Sequence, residues 1–354
     1  MRNLLFLLSL LIFSTGVMQA QTTIKGTITD AETGDALPGV NVYLSGTSIG
    51  AATNETGYYT FKTKLTGRFN LVVSFLGYKS INKQIELTGQ DEISLDFNMK
   101  VNPLQMGEIE VVDKRDSEWE RQFAAFRRFF IGTDGFADET EIENPQAIDF
   151  KDAGGAEVEV IFYEPLRINN YATGYHVELE LDNALFDPVA NTGYWQVYPR
   201  YTEMESDSRR QRREWSRNRT EAFMGSSRHF FISLIEGRVR TNRFVMLPGT
   251  RAVQEVRDVQ RIQRAFPGNW QLITRRYKVF EVINVNFGVA HDPRLDRNGN
   301  VEDMNEVSSF QIRNRYNFII VDPFGNVYNS RDVIFLGPWS EDRFSKSLPL
   351  NYGL

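Results

Sequence analysis

The chain has 354 residues, 41% hydrophobic and 24% charged, with a net charge of −6 and no cysteine. That length predicts about two domains, and the balance is that of folded material. The acidic excess argues against a general attraction to nucleic acid, the missing thiols exclude disulfides, thiolate zinc sites and cysteine nucleophiles, and only three histidines, His176, His229 and His291, are available to a metal.

Residues 1–20 combine Arg2, an apolar run from Leu4 to Phe13 and a small residue at Ala20. They predict a secretory leader cleaved between Ala20 and Gln21. No later stretch reaches the roughly 18 apolar residues of a spanning helix. The expectation is an exported protein, periplasmic or outer-membrane-associated, with no transmembrane segment in the mature chain.

Residues 21–101 break into short alternating runs separated by Gly, Pro, Asn and Asp, the pattern of a small antiparallel β-sandwich. Val42 and Leu44 share one face. Leu71 to Leu76 is almost continuously apolar, as a central strand requires, and Ile93, Leu95 and Phe97 alternate in a last strand. Asp30, Thr33-Gly34, Leu37-Pro38-Gly39, Gly46-Thr47, Gly57, Phe61, Ser74 and Gly77-Tyr78 carry a resemblance. At this spacing the stretch resembles the carboxypeptidase regulatory-like domain, with Val40 and Asn54 where that family usually has Ala and Asp. The resemblance implies a seven-stranded transthyretin-like sandwich and no peptidase activity. The module accompanies the catalytic domain in metallocarboxypeptidases and stands at the amino terminus of envelope proteins, TonB-dependent receptors included. Residues 102–116 read as a linker or edge strand, and Met106 to Val112 resembles the segment that follows this module in those receptors.

Residues 117–354 are expected to form a larger β-rich domain with two principal helices, so the whole chain is mainly β. Trp119, Phe123, Phe126 and Phe130 recur at helical spacing within 117–131, with Ser117 and Glu120 as a capping box. The second helical region covers 206–236, with a break at Gly225-Ser226-Ser227, and a short helix is expected within 254–265. Strands are expected around Val158–Phe162, Tyr175–Leu181, Tyr194–Tyr201, Val279–Asn286, Phe310–Val321 and Val327–Phe335. Trp215, Arg219, Phe223, Gly225-Ser226 and His229, with Gly337, Trp339, Arg343, Pro349 and Tyr352, resemble segments of envelope proteins that bear the same module. That resemblance implies a carboxy-terminal domain without an assigned activity.

Candidate chemistry is sparse. The metallocarboxypeptidase His-x-x-Glu motif is missing: Leu179, Ile232 and Arg294 stand three positions after the histidines. Ser226 with His229 lacks the second glycine of a nucleophile elbow. Asp149, Asp152, Glu157 and Glu159 lie close in sequence, but a glycosidase pair is not legible from spacing. Asp296, Asn298, Asn300 and Glu302 place oxygen ligands at alternate positions around Gly299, the pattern of a calcium loop and equally of an ordinary turn; no other cofactor is indicated. The arginine run 209–219 suits acidic glycans or lipid head groups, or a solvated face. Tyr194, Trp195, Tyr198 and Tyr201 suit a sugar-stacking platform; Tyr194, Tyr198 and the other alternate members equally suit the core. The candidate ligand-binding set is therefore Trp195, Tyr198, Arg213, Trp215, Arg219 and His229. The expected function is a non-catalytic envelope protein binding a protein or glycan partner; the alternative is a hydrolase with its site in residues 117–354.

Overall fold

A computed structural model describes residues 21–89, 92–102, 116–247, 253–283 and 287–352. The expected leader up to Ala20, and residues 103–115 of the expected linker, lie outside the described residues. The described residues divide into two compact units, one within residues 21–44 and 49–101 and the other within residues 45–48 and 102–352.

The first unit is a sandwich of two four-stranded sheets. Its strands are β1 (Thr22–Asp30), β2 (Asn41–Leu44), β3 (Gly50–Ala52), β4 (Tyr58–Thr63), β5 (Gly67–Ser74), β6 (Ile81–Leu87), β7 (Glu92–Ser94) and β8 (Phe97–Met99). β1 alternates inward and outward and buries Ile24 and Ile28 completely, as a strand with one covered face must. β5 lies between β2 and β6 and buries its whole second half. Eight segments stand where seven strands are expected, because β7 and β8 are halves of one strand, both parallel to β1. Gly26 admits the close approach at the break. The Leu95 carbonyl sits where a side chain on Gly26 would be, 1.8 Å from an ideal Cβ. Asp96 then takes up the ladder with its carboxylate, accepting the Thr27 N–H at 2.7 Å. At the sandwich edge, Asp30 accepts N–H bonds from Glu32 and Thr33 and the Tyr78 hydroxyl at 2.8 Å.

The second unit opens with α1 (Ser117–Phe130) and the short α2 (Gly135–Asp138), then β9 (Thr140–Ile142), β10 (Ile148–Gly154), β11 (Glu157–Phe162), β12 (Leu166–Asn170), β13 (Tyr175–Asp187) and β14 (Thr192–Glu203). These six strands form one antiparallel sheet. β12 and β11 pair with the two ends of the long β13, and β14 runs beside its whole length. α1 lays its aromatic face on this sheet: Phe126, Phe129 and Phe130 are each 1% exposed, and Phe126 meets Phe162 and Phe186 edge to face. The cap is one residue earlier than the capping box suggests, since the Asp116 carboxylate accepts the Trp119 N–H at 2.9 Å.

The rest builds a second core. It contains α3 (Arg209–Phe223), α4 (Ser227–Ile235), β15 (Phe244–Leu247), β16 (Val253–Glu255), α5 (Val259–Ala265), α6 (Trp270–Arg276), β17 (Lys278–Val282), β18 (Gly288–His291), β19 (Ser309–Ile312), β20 (Phe318–Val321) and β21 (Val333–Leu336). β15 pairs with β18, β17 with β16 and β20, and β19 with β21. Phe230, Phe231, Phe310 and Trp339 fill the space between. The expected second principal helix is thus two, split where Gly225 takes φ +82° and Ser226 recaps the chain.

Candidate functional site: the helix joint of the second unit

Four of the candidate ligand-binding residues, Arg213, Trp215, Arg219 and His229, fall on α3 and at the start of α4. α3 has few apolar residues and is held by hydrogen bonds. Trp215, Asn218 and Arg219 stand at i, i+3 and i+4, one helical face. That face meets residues 171–174 between β12 and β13. The Trp215 indole donates to the Tyr171 carbonyl at 2.8 Å, Asn218 Nδ2 to Ala172 at 2.8 Å, and Arg219 Nε and Nη2 to Thr173 and Gly174 at 2.7 and 3.2 Å. One helix thus bonds four successive carbonyls at a strand-to-strand turn; those of Tyr171, Ala172 and Thr173 would otherwise need water or other partners, while Gly174 also accepts the Met204 N–H at 3.0 Å. Arg219 also lies over the Tyr175 ring at 4.1 Å and pairs with Glu203 at 3.3 Å. Trp215 and Arg219 are therefore clamp residues, whereas Arg213 lies on the opposite, exposed face.

At the joint, the Ser226 hydroxyl donates to the Phe223 carbonyl at 2.7 Å and accepts the His229 backbone N–H at 3.1 Å. The His229 ring is buried among Phe223, Phe244 and His291. Its Nδ1 accepts the Gly225 N–H at 3.1 Å. Burial first, and then His291, push His229 down to about 4, so the imidazole is neutral at pH 7 with Nδ1 as acceptor. Ser226 and His229 are near one another as a cap and a ring under it; no bond joins imidazole to hydroxyl. Trp339 closes the joint, its indole donating to the Gly225 carbonyl at 2.8 Å. The two separated segments singled out in the sequence, Gly225–His229 and Gly337–Tyr352, are thus packed on each other.

Beside this joint lies a cavity of about 330 Å³ whose walls include Glu221, Ser226, His291, Glu306, Asp342 and Lys346. Burial pushes the Asp342 carboxyl up to about 6; Lys346 opposes the shift, while Asp134 and Glu341 add to it. Lys346 is itself held by Asp134 at 2.8 Å. His291 is lowered chiefly by burial, and its Nε2 makes no hydrogen bond. Sequence reasoning missed Asp342, Lys346, Glu221 and Glu306 as a group. Their one signal is that Asp342 lies between Trp339 and Arg343 of the carboxy-terminal motif.

The remaining candidates are dispersed. On β14 the four aromatics divide between two faces. Trp195 packs edge-on against Phe129 and Phe130 at 5.1 and 5.2 Å, and Tyr201 is buried with its hydroxyl on Ser347. Tyr194 is 43% exposed, and Tyr198 shares its face and bonds Gln196. A single four-ring platform is excluded by strand alternation, and the core side is that of Tyr201 and the partly buried Trp195, not the expected Tyr194 and Tyr198, because α1 packs on the Trp195 face. Asp296 turns its carboxylate into its own loop: Oδ1 accepts the N–H groups of Asn298 and Asn300, and Oδ2 the Asn300 amide. Glu302 is exposed, and among the described residues no cluster of three His, Asp or Glu side chains has metal-holding geometry. Asp149 and Asp152 bond within and beside the β10–β11 hairpin, to Phe150, Tyr163 and Gly154.

Residues 24–111 match the family model of the CarboxypepD_reg-like domain. The amino-terminal sandwich is such a domain. The chain is also 29% identical over 149 residues to the TonB-dependent receptor P39 of Formosa agariphila, a stretch that is 42% of this chain and 13% of the receptor. The chain therefore spans a small part of that relative's length. Among solved structures, a type II cohesin–X-dockerin complex from Acetivibrio cellulolyticus is 22% identical with a TM-score of 0.20, covering 23% of this chain and 58% of its own. A DUF3823 family protein from Bacteroides ovatus is 14% identical with a TM-score of 0.16, covering 52% of this chain and 82% of its own. Scores this low do not amount to a shared whole-chain fold. No helix among the described residues is long and apolar enough to cross a membrane.

Proposed function

We propose that the protein is a non-catalytic accessory protein of the cell envelope that binds a protein or glycan partner through its second unit. The observation that carries this reading is the CarboxypepD_reg-like domain at residues 24–111, with the receptor similarity over 149 residues in support. The use of Trp215, Arg219, Ser226 and His229 in internal bonding agrees with a scaffold in this region. The test is envelope fractionation with in-cell crosslinking from a photoreactive residue at exposed Arg213. Recovery with one envelope protein or glycan supports the reading; a cytoplasmic protein without crosslinks overturns it.

One observation favours hydrolysis as the second reading. Asp342 is a carboxyl raised toward neutrality by burial, in a cavity it shares with the side chains of Glu221 and Glu306, and a raised carboxyl is what a general acid requires. Turnover of any glycoside or ester by the full chain, lost in Asp342→Asn, would establish it.

A further inference from the structure

A second cavity, about 460 Å³, opens where α4 gives way to β15 beside the end of β18. Val239 and Met246 are buried in its wall, and Leu295 lies at its mouth, 47% exposed. Two guanidinium groups, Arg240 and Arg243, share the lining with one carboxylate, Asp292. Arg243 is already paired with Asp292 at 2.8 Å. Arg240 has no acidic partner among the described residues, so the cavity carries one positive charge in excess on a chain whose net charge is −6.

The backbone here is costly and fixed. Arg243 and Asp292 both take left-handed conformations, φ +64° and +51°, which non-glycine residues rarely do. They face each other, the Asp292 N–H donating to the Arg243 carbonyl at 2.8 Å. The turn is tied to α4 by Asn242, whose amide donates to Ser233 Oγ at 2.8 Å. A strained turn held on both sides presents two arginines over an apolar wall.

We propose that this cavity binds an anionic amphiphile. Its carboxylate or phosphate head sits on Arg240 beside the Arg243–Asp292 pair, and its alkyl stem covers Val239, Met246 and Leu295. A guanidinium fork matches both oxyanions, and each buried methylene adds to affinity.

The test titrates the full mature chain calorimetrically with dodecanoate and dodecyl phosphate, below their micelle concentrations. Dodecyltrimethylammonium and dodecanol are the controls. The expected result is saturable binding of one anionic ligand per chain, with both controls weaker by roughly tenfold or more, the scale of one charge-assisted contact. Arg240→Glu loses roughly tenfold for the anions, and Leu295→Asp weakens them as well. Both side chains are solvent-exposed, and unchanged melting temperatures report intact folding. Preference for dodecanoate points to a free fatty acid, and preference for dodecyl phosphate to a phospholipid head group. Equal binding of all four amphiphiles, no binding of any, or an Arg240→Glu variant that binds as wild type overturns the proposal.

Discussion

Gly174 lies directly beneath the indole of Trp215. It takes φ +69°, and an ideal Cβ at this position would stand 2.3 Å from the Trp215 ring. The turn between β12 and β13 and the third helix are thus shaped against each other, and both halves of that fit can be broken singly. Gly174→Ala meets a left-handed backbone worth roughly 1 kcal/mol and a ring packed on other elements. A loss of about 2–4 kcal/mol is expected, read from the urea midpoint. A loss below about 1 kcal/mol would show that α3 rides freely on the sheet.

Arg219 satisfies two carbonyls and covers Tyr175. Arg219→Met keeps the stem and removes the donors, leaving the Thr173 and Gly174 carbonyls without these bonds. The expected cost is about 2–3 kcal/mol. Combined with Trp215→Phe, which removes the bond to Tyr171 and part of the ring over Gly174, the loss should be less than additive, because both changes release the same turn. Full additivity in a double-mutant cycle would refute the clamp.

His229 and Asp342 titrate with opposite consequences. His229 is depressed from 6.5 to about 4, so the native state resists its protonation and stability falls as pH drops through that window. Asp342 is raised from 3.8 to about 6, so its contribution is present at low pH and is lost as pH rises toward 6. Each is worth about 3 kcal/mol by linkage, and they largely cancel in the wild type. Relative to wild type, Asp342→Asn should be stabilised at pH 7 and lose that advantage near pH 4. His229→Gln should instead gain relative stability on acidification. Midpoints at pH 4, 5, 6 and 7 separate them, and parallel profiles for all three proteins would contradict the assignment.

Asp296 organises its own turn through three accepted bonds. Asp296→Ala should therefore cost about 1 kcal/mol in calcium-free buffer. Added calcium should leave the wild-type melting temperature unchanged. A calcium-dependent rise that Asp296→Ala abolishes would return the loop to the metal-binding class.

Trp195 and Tyr194 are neighbours in sequence with opposite fates. Trp195→Ala should cost about 3 kcal/mol as a core truncation, and Tyr194→Ala less than about 0.5 kcal/mol. If glycan binding uses this strand, it is Tyr194→Ala that should weaken it without changing stability.

Features that depend on side-chain period and local chemistry are legible from the residues alone. Alternation in β1 and β13, the aromatic face of α1, and the break at Gly225-Ser226 follow from the side-chain repeat and from the conformations Gly and Ser permit. The sandwich motif was legible for the same reason: its turns need Gly and Pro at fixed places. Which face of β14 is core was not legible, because Tyr and Trp suit either side until α1 is packed on one of them. Nor was the role of Trp215 and Arg219, since carbonyl acceptors look alike in every residue and only the fold brings Tyr171–Gly174 under the helix. Asp342 lies 121 positions from Glu221, and its raised pKa comes from burial, which tertiary packing alone decides.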